Sequence, residues 1–463
     1  MTAEAERHSF SQLFIWGTAR GQFWGTIVQA LALANSFFIL AALSVYQFGL
    51  YQLVLAVIAI ADAFVTGLFD DIAINDISRH FAAGRRPEAK RLFGEFAWAK
   101  AGLAAAAFLV LFLAANLIAA HYDKDIGSLV RIAGALLLLG ALKNVLLLFF
   151  RAAVSLIAFS TAAMQEIARL AFLAFFWQWG TLGIAEALWA GVLATAVVLV
   201  WVAFLFRREY RRIFRGVRAR ADRLLMELLK RYGLLVLFRY AFSKATKQLD
   251  LWLVQVFLKT EAVALYALAT NLVVIVQGFV PTGMSSTLLP REVSDERRFG
   301  YLYRRGAKYA FWAGTLIAAA SAIAVPVAVD LLIPKYLPAV PLFLLFLLTT
   351  PLYGIYKFQK AVLVVLREQK LLTVRIFSER VVTAGVLAVL LPIIGLTAAA
   401  VELLVTYGGR VALFSIGMNR RYPAWRLKLR HLLAFDADDL AFLRRMFTEL
   451  RHPRRWFRPV RLT

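Results

Sequence analysis

Arg and Lys residues are distributed unevenly among the connections between the long apolar segments of this chain. Taking roughly 20 apolar residues as one membrane span, we predict about twelve spans. They lie near 21–43, 49–69, 96–120, 129–150, 164–180, 184–206, 232–258, 262–287, 307–329, 339–364, 372–392 and 397–418. Connections on one side hold only Lys124, Lys259 and Lys335, whereas those on the other hold the basic runs 79–91, 207–231, 291–308 and 420–461. Because positively charged loops stay in the cytoplasm, we expect both termini to be cytoplasmic.

Composition supports a membrane protein and argues against other classes. With 61% hydrophobic residues and a mean hydropathy of +0.70, the 463-residue chain is too apolar for a soluble core. The net charge of +25 favours contact with anionic lipids over nucleic acid, because the basic residues lie in short loops beside helix ends. The chain has no cysteine, and its five histidines fall in loops or tails, so we expect neither a metal site nor a cofactor.

The longest basic connection divides the predicted spans into two sets of six. We expect an N-terminal lobe at 1–206, a cytoplasmic linker at 207–231, a C-terminal lobe at 232–418 and a basic cytoplasmic tail at 419–463. The second span opens with FGLY at 48–51, and the eighth opens with VALY at 263–266. Since these occupy the same ordinal helix of each half, we predict two six-helix lobes related as parallel repeats.

Several cytoplasmic segments are expected to lie at the membrane surface. Residues 72–93 and 209–230 place apolar residues at helical spacing among charges, which predicts amphipathic helices. The tail combines many basic residues with Trp425, Trp456 and Phe457, as an anchor at headgroup level does. A tail that binds a partner protein is the alternative.

Ionisable residues inside the predicted spans carry the functional signal. Each costs at least a few kcal/mol at the bilayer centre, so it normally faces a polar cavity or a partner. The cations are Lys100, Arg131, Lys143, Arg169, Arg239, Lys244, Lys247, Lys357, Lys360, Arg375, Arg380 and Arg410. The acids are Asp62, Glu166, Glu186, Asp250, Glu379 and Glu402. Twelve cations against six acids predict a central cavity with surplus positive charge.

The seventh predicted span has one polar face. At 100° per residue, this face groups Arg239, Ser243, Thr246, Lys247 and Asp250, with Lys244 at its edge. One interpretation is an internal network in which Lys247 pairs with Asp250. The other is that Arg239, Lys244 and Lys247 bind an anionic headgroup, because one acid cannot neutralise three cations.

Lysines on other spans extend the anion hypothesis to both halves. Lys143 lies on the fourth span, and Lys357 and Lys360 lie on the tenth. Asp62, on the second span, is predicted either to couple an ion or to hold a lysine.

The remaining span charges suggest local roles. We expect Lys100, Arg131, Arg169 and Arg375 to extend towards the headgroups. Glu379 with its sequence neighbours Arg375 and Arg380 predicts a local ion pair.

Short motifs along the chain resemble those of one known family. They are LSVYQFGLY at 43–51 and SRHFAAGRR at 78–86, then KQLD at 247–250, EAVALYA at 261–267 and LLPR at 288–291. In order and spacing they resemble the polysaccharide transporter family of the multidrug/oligosaccharidyl-lipid/polysaccharide exporter superfamily. Asp250 falls on that family's recurrent acid of the seventh helix.

The resemblance implies a flippase that moves polyprenyl-diphosphate-linked oligosaccharides across the bacterial inner membrane by alternating access. The cation surplus independently suits a diphosphate. The expected substrate-binding residues are Arg239, Lys244, Lys247, Lys143, Lys357 and Lys360, with Asp62 and Asp250 in ion coupling or pairing. We expect a monomer that contacts anionic lipids and no nucleic acid, with a polysaccharide polymerase as a candidate partner.

Two other classes are the alternatives. A drug antiporter of the same superfamily should show an acidic surplus in its cavity, because it usually exports cations. A membrane glycosyltransferase or polymerase should carry a long outward loop with catalytic acids or a base. The outward connections here have about ten residues or fewer, and no phosphate loop of the G-x-x-x-x-G-K-[ST] type occurs. We therefore expect a transporter and not an enzyme.

Overall fold

The computed structural model describes residues 25–66, 70–152, 157–217, 225–227, 242, 246–281, 296–366, 368–436, 439–441 and 444. Throughout these ranges the secondary structure is helical, and they contain no β-strand. The all-α membrane architecture predicted from the sequence is therefore confirmed. Contacts divide the chain into two compact units, Ala30–Ala267 and Leu268–Thr463 with Met1–Gln29. The finer predicted boundaries at 207–231 and 419 stay predictions.

The N-terminal unit, Ala30–Ala267, is built mainly from long helices. They are α1 (Gly25–Ala42), α2 (Val45–Thr66), α3 (Asp70–Ala82), α4 (Arg86–Tyr122), α5 (Gly127–Ala152), α6 (Ile157–Gln178), α7 (Ile184–Phe214), a 3-10 helix (Thr246–Gln248), α8 (Leu249–Phe257) and the start of α9 (Thr260–Gly278). Within this unit α5 packs against both α4 and α7, so it lies at the centre of the bundle.

The C-terminal unit continues from the end of α9. Its helices are α10 (Glu296–Leu332), a 3-10 helix (Pro334–Ala339), α11 (Val340–Leu347), α12 (Thr350–Val365), α13 (Gln369–Ile394), α14 (Thr397–Arg421), a 3-10 turn (Pro423–Trp425) and α15 (Leu429–Leu433). Helix α12 packs against α10 and α14, and α13 packs against α14.

Nine helices in the described ranges are long and apolar enough to cross a membrane, and the bent pair formed by residues 334–347 and α12 makes a tenth. Helix α6 occupies the position of the fifth predicted span and is not one of these nine; it carries the polar residues Gln165, Glu166 and Arg169. The seventh predicted span, 232–258, is described as a continuous segment only from residue 246. The prediction of a many-span helical protein is confirmed, and the number twelve stays a prediction.

Two helices are longer than a bilayer core requires. Helices α4 and α10 each have 37 residues, or about 55 Å at 1.5 Å per residue, against a hydrocarbon core of about 30 Å. The extra turns of α4 are its basic N-terminal ones, which begin with Pro87 in the first turn. The amphipathic segment predicted at 72–93 is therefore divided between α3 and the start of α4, and the segment predicted at 209–230 begins as the end of α7.

A glycine-lined contact joins α10 and α12 in the C-terminal unit. A Cβ on Gly354 would lie 2.3 Å from the carbonyl oxygen of Ala310, and one on Gly306 would lie 2.1 Å from the ring of Phe358. No larger residue fits at these positions without a shift of its neighbours. Small residues thus allow the two backbones to approach closely, as in other membrane helix pairs.

The described beginning of the tail packs on this unit. Its predicted position at headgroup level stays a prediction, since Trp456 and Phe457 lie outside the described residues. Trp425 is only 4% exposed and packs on Phe299, with ring centroids 5.1 Å apart. Lys308 of α10 donates to the Asp439 carboxylate at 2.6 Å, and Arg305 forms an ion pair with Asp436 at 2.7 Å. The side chain of Asp439 is fully buried. Residues 422–436 and Asp439 therefore form part of the folded unit.

Candidate anion site

The predicted groove on the seventh span is only partly described. Arg239 and Lys244 lie outside the described residues. Lys247 belongs to the 3-10 helix before α8, and its side chain also lies outside the described part. Asp62 is half-buried on α2. Whether Arg239, Lys244 and Lys247 share one groove with Asp250 stays a prediction, as does the role of Asp62.

Asp250 lies in the first turn of α8, where the helix dipole favours an acid. It accepts a hydrogen bond from the hydroxyl of Tyr266, the seventh residue of α9. Tyr51 is likewise the seventh residue of α2, and its hydroxyl accepts a hydrogen bond from Arg169 at 2.7 Å. The two motif tyrosines that the sequence aligned therefore both bind a charged side chain, which supports the parallel repeat.

Lys143 belongs to a polar network of the N-terminal unit that joins α5, α6 and α7. Its ammonium donates to the amide oxygen of Gln165, and Gln165 in turn donates to Thr195 at 2.9 Å. Thr195 donates to the carbonyl oxygen of Gly191 at 2.8 Å. Within the described residues, no carboxylate lies within ion-pair distance of Lys143, so neutral groups hold this cation.

A second pair completes the polar interior of this unit. Asn35 of α1, almost fully buried, donates to the Glu166 carboxylate at 2.7 Å and to its backbone carbonyl at 3.0 Å. Glu166 also attracts Lys143 electrostatically. One lysine and one glutamate therefore balance each other here.

Lys100 contradicts the expectation that it reaches towards the headgroups. It is 2% exposed, and its ammonium binds both carboxylate oxygens of Asp70 at 2.5 and 2.6 Å. Arg131 and Arg169 are also held by side chains, Asn116 and Tyr51 respectively. The long cations of this unit are fixed by partners because an unpaired charge is costly in low dielectric.

Glu379 is the centre of a cationic cluster in the C-terminal unit. Arg410 forms a bidentate pair with it, Nε to Oε2 at 3.0 Å and Nη2 to Oε1 at 2.6 Å. Arg375, one turn earlier on α13, donates to Oε2 at 3.0 Å, and Arg380 lies 3.5 Å from Oε1. The Glu379 side chain is 6% exposed, and those of Arg375 and Arg410 are 14% exposed. One buried carboxylate thus faces three guanidinium groups.

Tyrosine side chains hold two of these arginines in place. Tyr356 accepts a hydrogen bond from Arg375 at 2.8 Å. The Arg410 guanidinium lies over the rings of Tyr407 and Tyr356, 4.3 and 5.0 Å from their centroids. Such cation–π contacts and hydrogen bonds orient the guanidinium groups without neutralising their charge.

Lys357 and Lys360 lie on the open side of the cluster. Both are exposed and three residues apart on α12, so they share one helix face. Lys357 lies over the ring of Tyr353 at 5.3 Å, and Lys360 is within electrostatic reach of Arg375 and Arg410. The structure therefore brings the two predicted lysines together with Arg375, for which a local role was expected, and with Arg410, for which none was predicted.

We call Lys357, Lys360, Arg375, Glu379, Arg380 and Arg410 the Glu379 cluster. It has five cations and one acid. Glu379 lies ten residues after the start of α13, about 15 Å along the axis. Glu379 thus lies well inside its apolar helix, whereas Arg375 and Lys360 lie nearer to the ends of theirs. Sequence reasoning counted Arg410 but missed its pairing with Glu379, because that contact joins two helices.

Metal coordination is not indicated in the described ranges. They contain no group of three or more His, Asp or Glu side chains arranged around a common point. What the cluster offers chemically is a set of oriented guanidinium and ammonium donors, which is suited to an anion.

Comparison with solved structures shows the fold. A multidrug resistance MATE family transporter of the MOP superfamily, inward-facing, matches with a TM-score of 0.70 and 13% identity over 86% of this chain and 95% of that chain. The lipid II flippase MurJ, inward closed, matches with a TM-score of 0.68 and 11% identity over 93% and 92%. A mutant of the Vibrio cholerae MATE transporter VcmN matches with a TM-score of 0.63 and 16% identity over 89% and 98%.

Sequence comparison shows the family. No curated protein matches the chain in sequence. The family model described as polysaccharide biosynthesis protein matches residues 20–294, more than half of the chain. The predicted resemblance is confirmed, and the family and its structural neighbours are transporters and flippases. This multi-pass membrane chain belongs to the polysaccharide biosynthesis protein family and has the fold shared by MATE transporters and MurJ.

Proposed function

We propose that this chain is a flippase that moves a polyprenyl-diphosphate-linked oligosaccharide from the cytoplasmic to the outer leaflet of the bacterial inner membrane. The family match supports a role in polysaccharide biosynthesis. The observation that carries the proposal is the charge of the Glu379 cluster, which holds five cations against one acid within the C-terminal unit. A buried surplus of cations favours a substrate that brings negative charge.

The drug antiporter is the second candidate, because the fold is also that of MATE transporters. A site for cationic drugs requires carboxylates that outnumber the nearby cations. Among the described polar groups, neither unit shows such a surplus of carboxylates. Lys143 and Glu166 balance each other in the N-terminal unit, and cations predominate in the C-terminal unit.

The setting of the transporter is part of the proposal. Both termini and the 207–231 segment face the cytoplasm, where the basic loops meet anionic lipids. The chain works as a monomer beside a polysaccharide polymerase that consumes its product, and catalyses no covalent step itself. Alkaline phosphatase fused after Arg220 should be inactive, and fused after Asp125 it should be active. The reverse result would overturn this topology.

Transport is tested with the purified chain in proteoliposomes loaded with a lipid-linked oligosaccharide on the inner leaflet. Exposure of the sugar to an added lectin measures flipping, and efflux of a cationic dye is measured in parallel. We expect lectin exposure to rise with no dye efflux. Dye efflux with no lectin exposure would assign the chain to the antiporters.

The seventh-span groove has its own test in the same assay. Replacement of Lys247 by Gln should impair transport, because an attractive charge for the diphosphate is lost. The double variant Lys247→Gln with Asp250→Asn removes both charges together. If Lys247 chiefly neutralises Asp250, the double variant regains activity. We expect it to stay defective, and recovery would make this pair structural.

A further inference from the structure

The Glu379 cluster contains more hydrogen-bonding capacity than its one acid uses. Arg375 directs the same nitrogen, Nη1, to both Tyr356 and Glu379, and its buried Nε meets no partner among the described residues. The buried Nε of Arg380 is also without a described partner. Buried guanidinium donors normally find acceptors. The Nε atoms of Arg131 and Arg169 in the N-terminal unit also lack a described partner, so spare donors permit an anion at the cluster, and its excess charge is what favours one.

Charge leads to the same conclusion from a different observation. Glu379 carries one negative charge, and Arg410 forms a bidentate pair with its carboxylate. Arg375 and Arg380 therefore share the same single charge and are only partly neutralised. In a low-dielectric span this surplus is unfavourable unless another anion is present. The exposed Lys357 and Lys360 lie where such an anion would approach from the open side of α12.

We propose that the Glu379 cluster is an anion-exchange site, in which a diphosphate group replaces the Glu379 carboxylate on the guanidinium groups of Arg375 and Arg410. Glu379 is then a resident counter-ion that keeps the empty site stable. A guanidinium fork fits a phosphate as it fits a carboxylate, so Arg410 can exchange one for the other without changing its geometry. The diphosphate identity of the anion rests on the proposed function.

Binding is measured by calorimetry on the full-length protein in a neutral detergent. The probes are farnesyl diphosphate, inorganic pyrophosphate and the anionic lipid phosphatidylglycerol. We expect both diphosphates to bind and phosphatidylglycerol not to displace them. Displacement by phosphatidylglycerol would show a general lipid-headgroup site and overturn the diphosphate assignment.

Charge variants locate the site. The double variant Arg375→Gln with Arg410→Gln should weaken farnesyl diphosphate binding by more than about tenfold. The matched control is Arg131→Gln, which removes a membrane arginine from the other unit, where it binds Asn116. Its affinity should equal that of the wild type. Equal affinities in all three proteins would overturn the site.

The double arginine variant removes two buried partners of Glu379 and is open to misfolding, so a second pair tests the same idea. Lys357→Gln with Lys360→Gln changes only exposed side chains that form no ion pair within the described residues. It should leave the melting temperature unchanged and weaken diphosphate binding severalfold. Unchanged affinity would show that Lys357 and Lys360 take no part in diphosphate binding.

Glu379→Gln separates exchange from a purely structural network. Without ligand, this variant should melt at a lower temperature, because the guanidinium groups lose their counter-ion. With farnesyl diphosphate it should bind more tightly than the wild type, because no carboxylate competes. A structural network predicts the loss of stability without tighter binding, and that result would overturn the exchange.

The two proposals fail in different ways. Diphosphate binding at the cluster without transport of the lipid-linked oligosaccharide would overturn the proposed function and leave the site. Transport with no diphosphate binding at the cluster would overturn the site and leave the function.

Discussion

The two units stabilise the cations inside their apolar spans in opposite ways. In the N-terminal unit, Lys143 donates to Gln165, which in turn donates to Thr195, and Glu166 supplies one balancing charge. In the C-terminal unit, Arg375, Arg380 and Arg410 share the single carboxylate of Glu379. The N-terminal network is near neutral, whereas the C-terminal cluster has an excess of positively charged hydrogen-bond donors.

This difference separates a polar group that stabilises a bundle from one that is suited to binding. A network in which a lysine and a glutamate balance each other gives a ligand anion little to gain. A cluster with excess charge and unpartnered donors is less stable by itself, and a ligand anion restores the balance. On the proposal made above, the Glu379 cluster binds the anion and the N-terminal network stabilises its unit, while the substrate-binding role expected for Lys143 stays a prediction.

The largest effect should come from removing the central acid of each unit. Glu379→Ala leaves three buried guanidinium groups without a carboxylate and should destabilise the protein by about 3–5 kcal/mol. Glu166→Ala removes one hydrogen-bond acceptor of Asn35 and should cost about 1–3 kcal/mol. Unfolding of both variants in a mixed detergent series measures the two values. Equal losses would remove the distinction between the units.

A double-mutant comparison of the two networks should give a smaller effect. Lys143→Met leaves Gln165 without a donor and should cost about 1–3 kcal/mol. Adding Gln165→Leu should restore most of this loss, because Thr195 keeps its bond to Gly191. In the C-terminal unit, Arg410→Met with Glu379→Met should not restore stability, because Arg375 and Arg380 remain.

The result that would contradict this comparison is rescue in the C-terminal unit. It would mean that Arg410 and Glu379 form an isolated pair and that the other arginines need no counter-ion. The same unfolding series supplies the measurement, with melting temperature as an independent check.

Sequence reasoning located the helices well because apolar length is a local signal. The second span was predicted at 49–69 and observed at Val45–Thr66, and the twelfth was predicted at 397–418 and observed at Thr397–Arg421. The break between α11 and α12 escaped prediction, although Pro351 follows it directly. Its residues on both sides are apolar, so the hydropathy pattern continues through the bend.

The sequence identified several cations of the candidate site but not the contacts that they make, for a physical reason. Lys143, Lys357 and Lys360 were chosen as isolated intramembrane cations, and all three lie in or beside polar clusters. The pairing of Arg410 with Glu379 depends on which helices are neighbours, and spacing along one helix does not contain that information. For the same reason the burial of Lys100 against Asp70, 30 residues away, was missed.

The smallest effect concerns the lysine–aspartate pair that each unit contains, Lys100 with Asp70 and Lys308 with Asp439. Burial alone would raise the pKa of the Asp439 carboxyl. Hydrogen bonds from Lys308, the Asp436 backbone and Tyr309 outweigh it and hold that pKa well below the ordinary 3.8. A depressed pKa stabilises the folded tail above pH 3.8, and this contribution is lost as the pH falls below that value.

We therefore expect pepsin to cut the tail near residues 432–440 faster as the pH falls below 3.8, after correction for pepsin's own pH profile on an unfolded peptide. Protonated Asp439 no longer balances Lys308, whose ammonium also donates to the Ala434 carbonyl at 2.7 Å. Asp439→Asn should be cut quickly at every acidic pH, because its side chain does not titrate. Asp70→Asn, the matched change in the other unit, should leave tail cleavage like that of the wild type. If Asp439→Asn kept the wild-type pH dependence, the tail would be held by Trp425 and its apolar neighbours, and the lysine–aspartate pair of the C-terminal unit would contribute nothing to it.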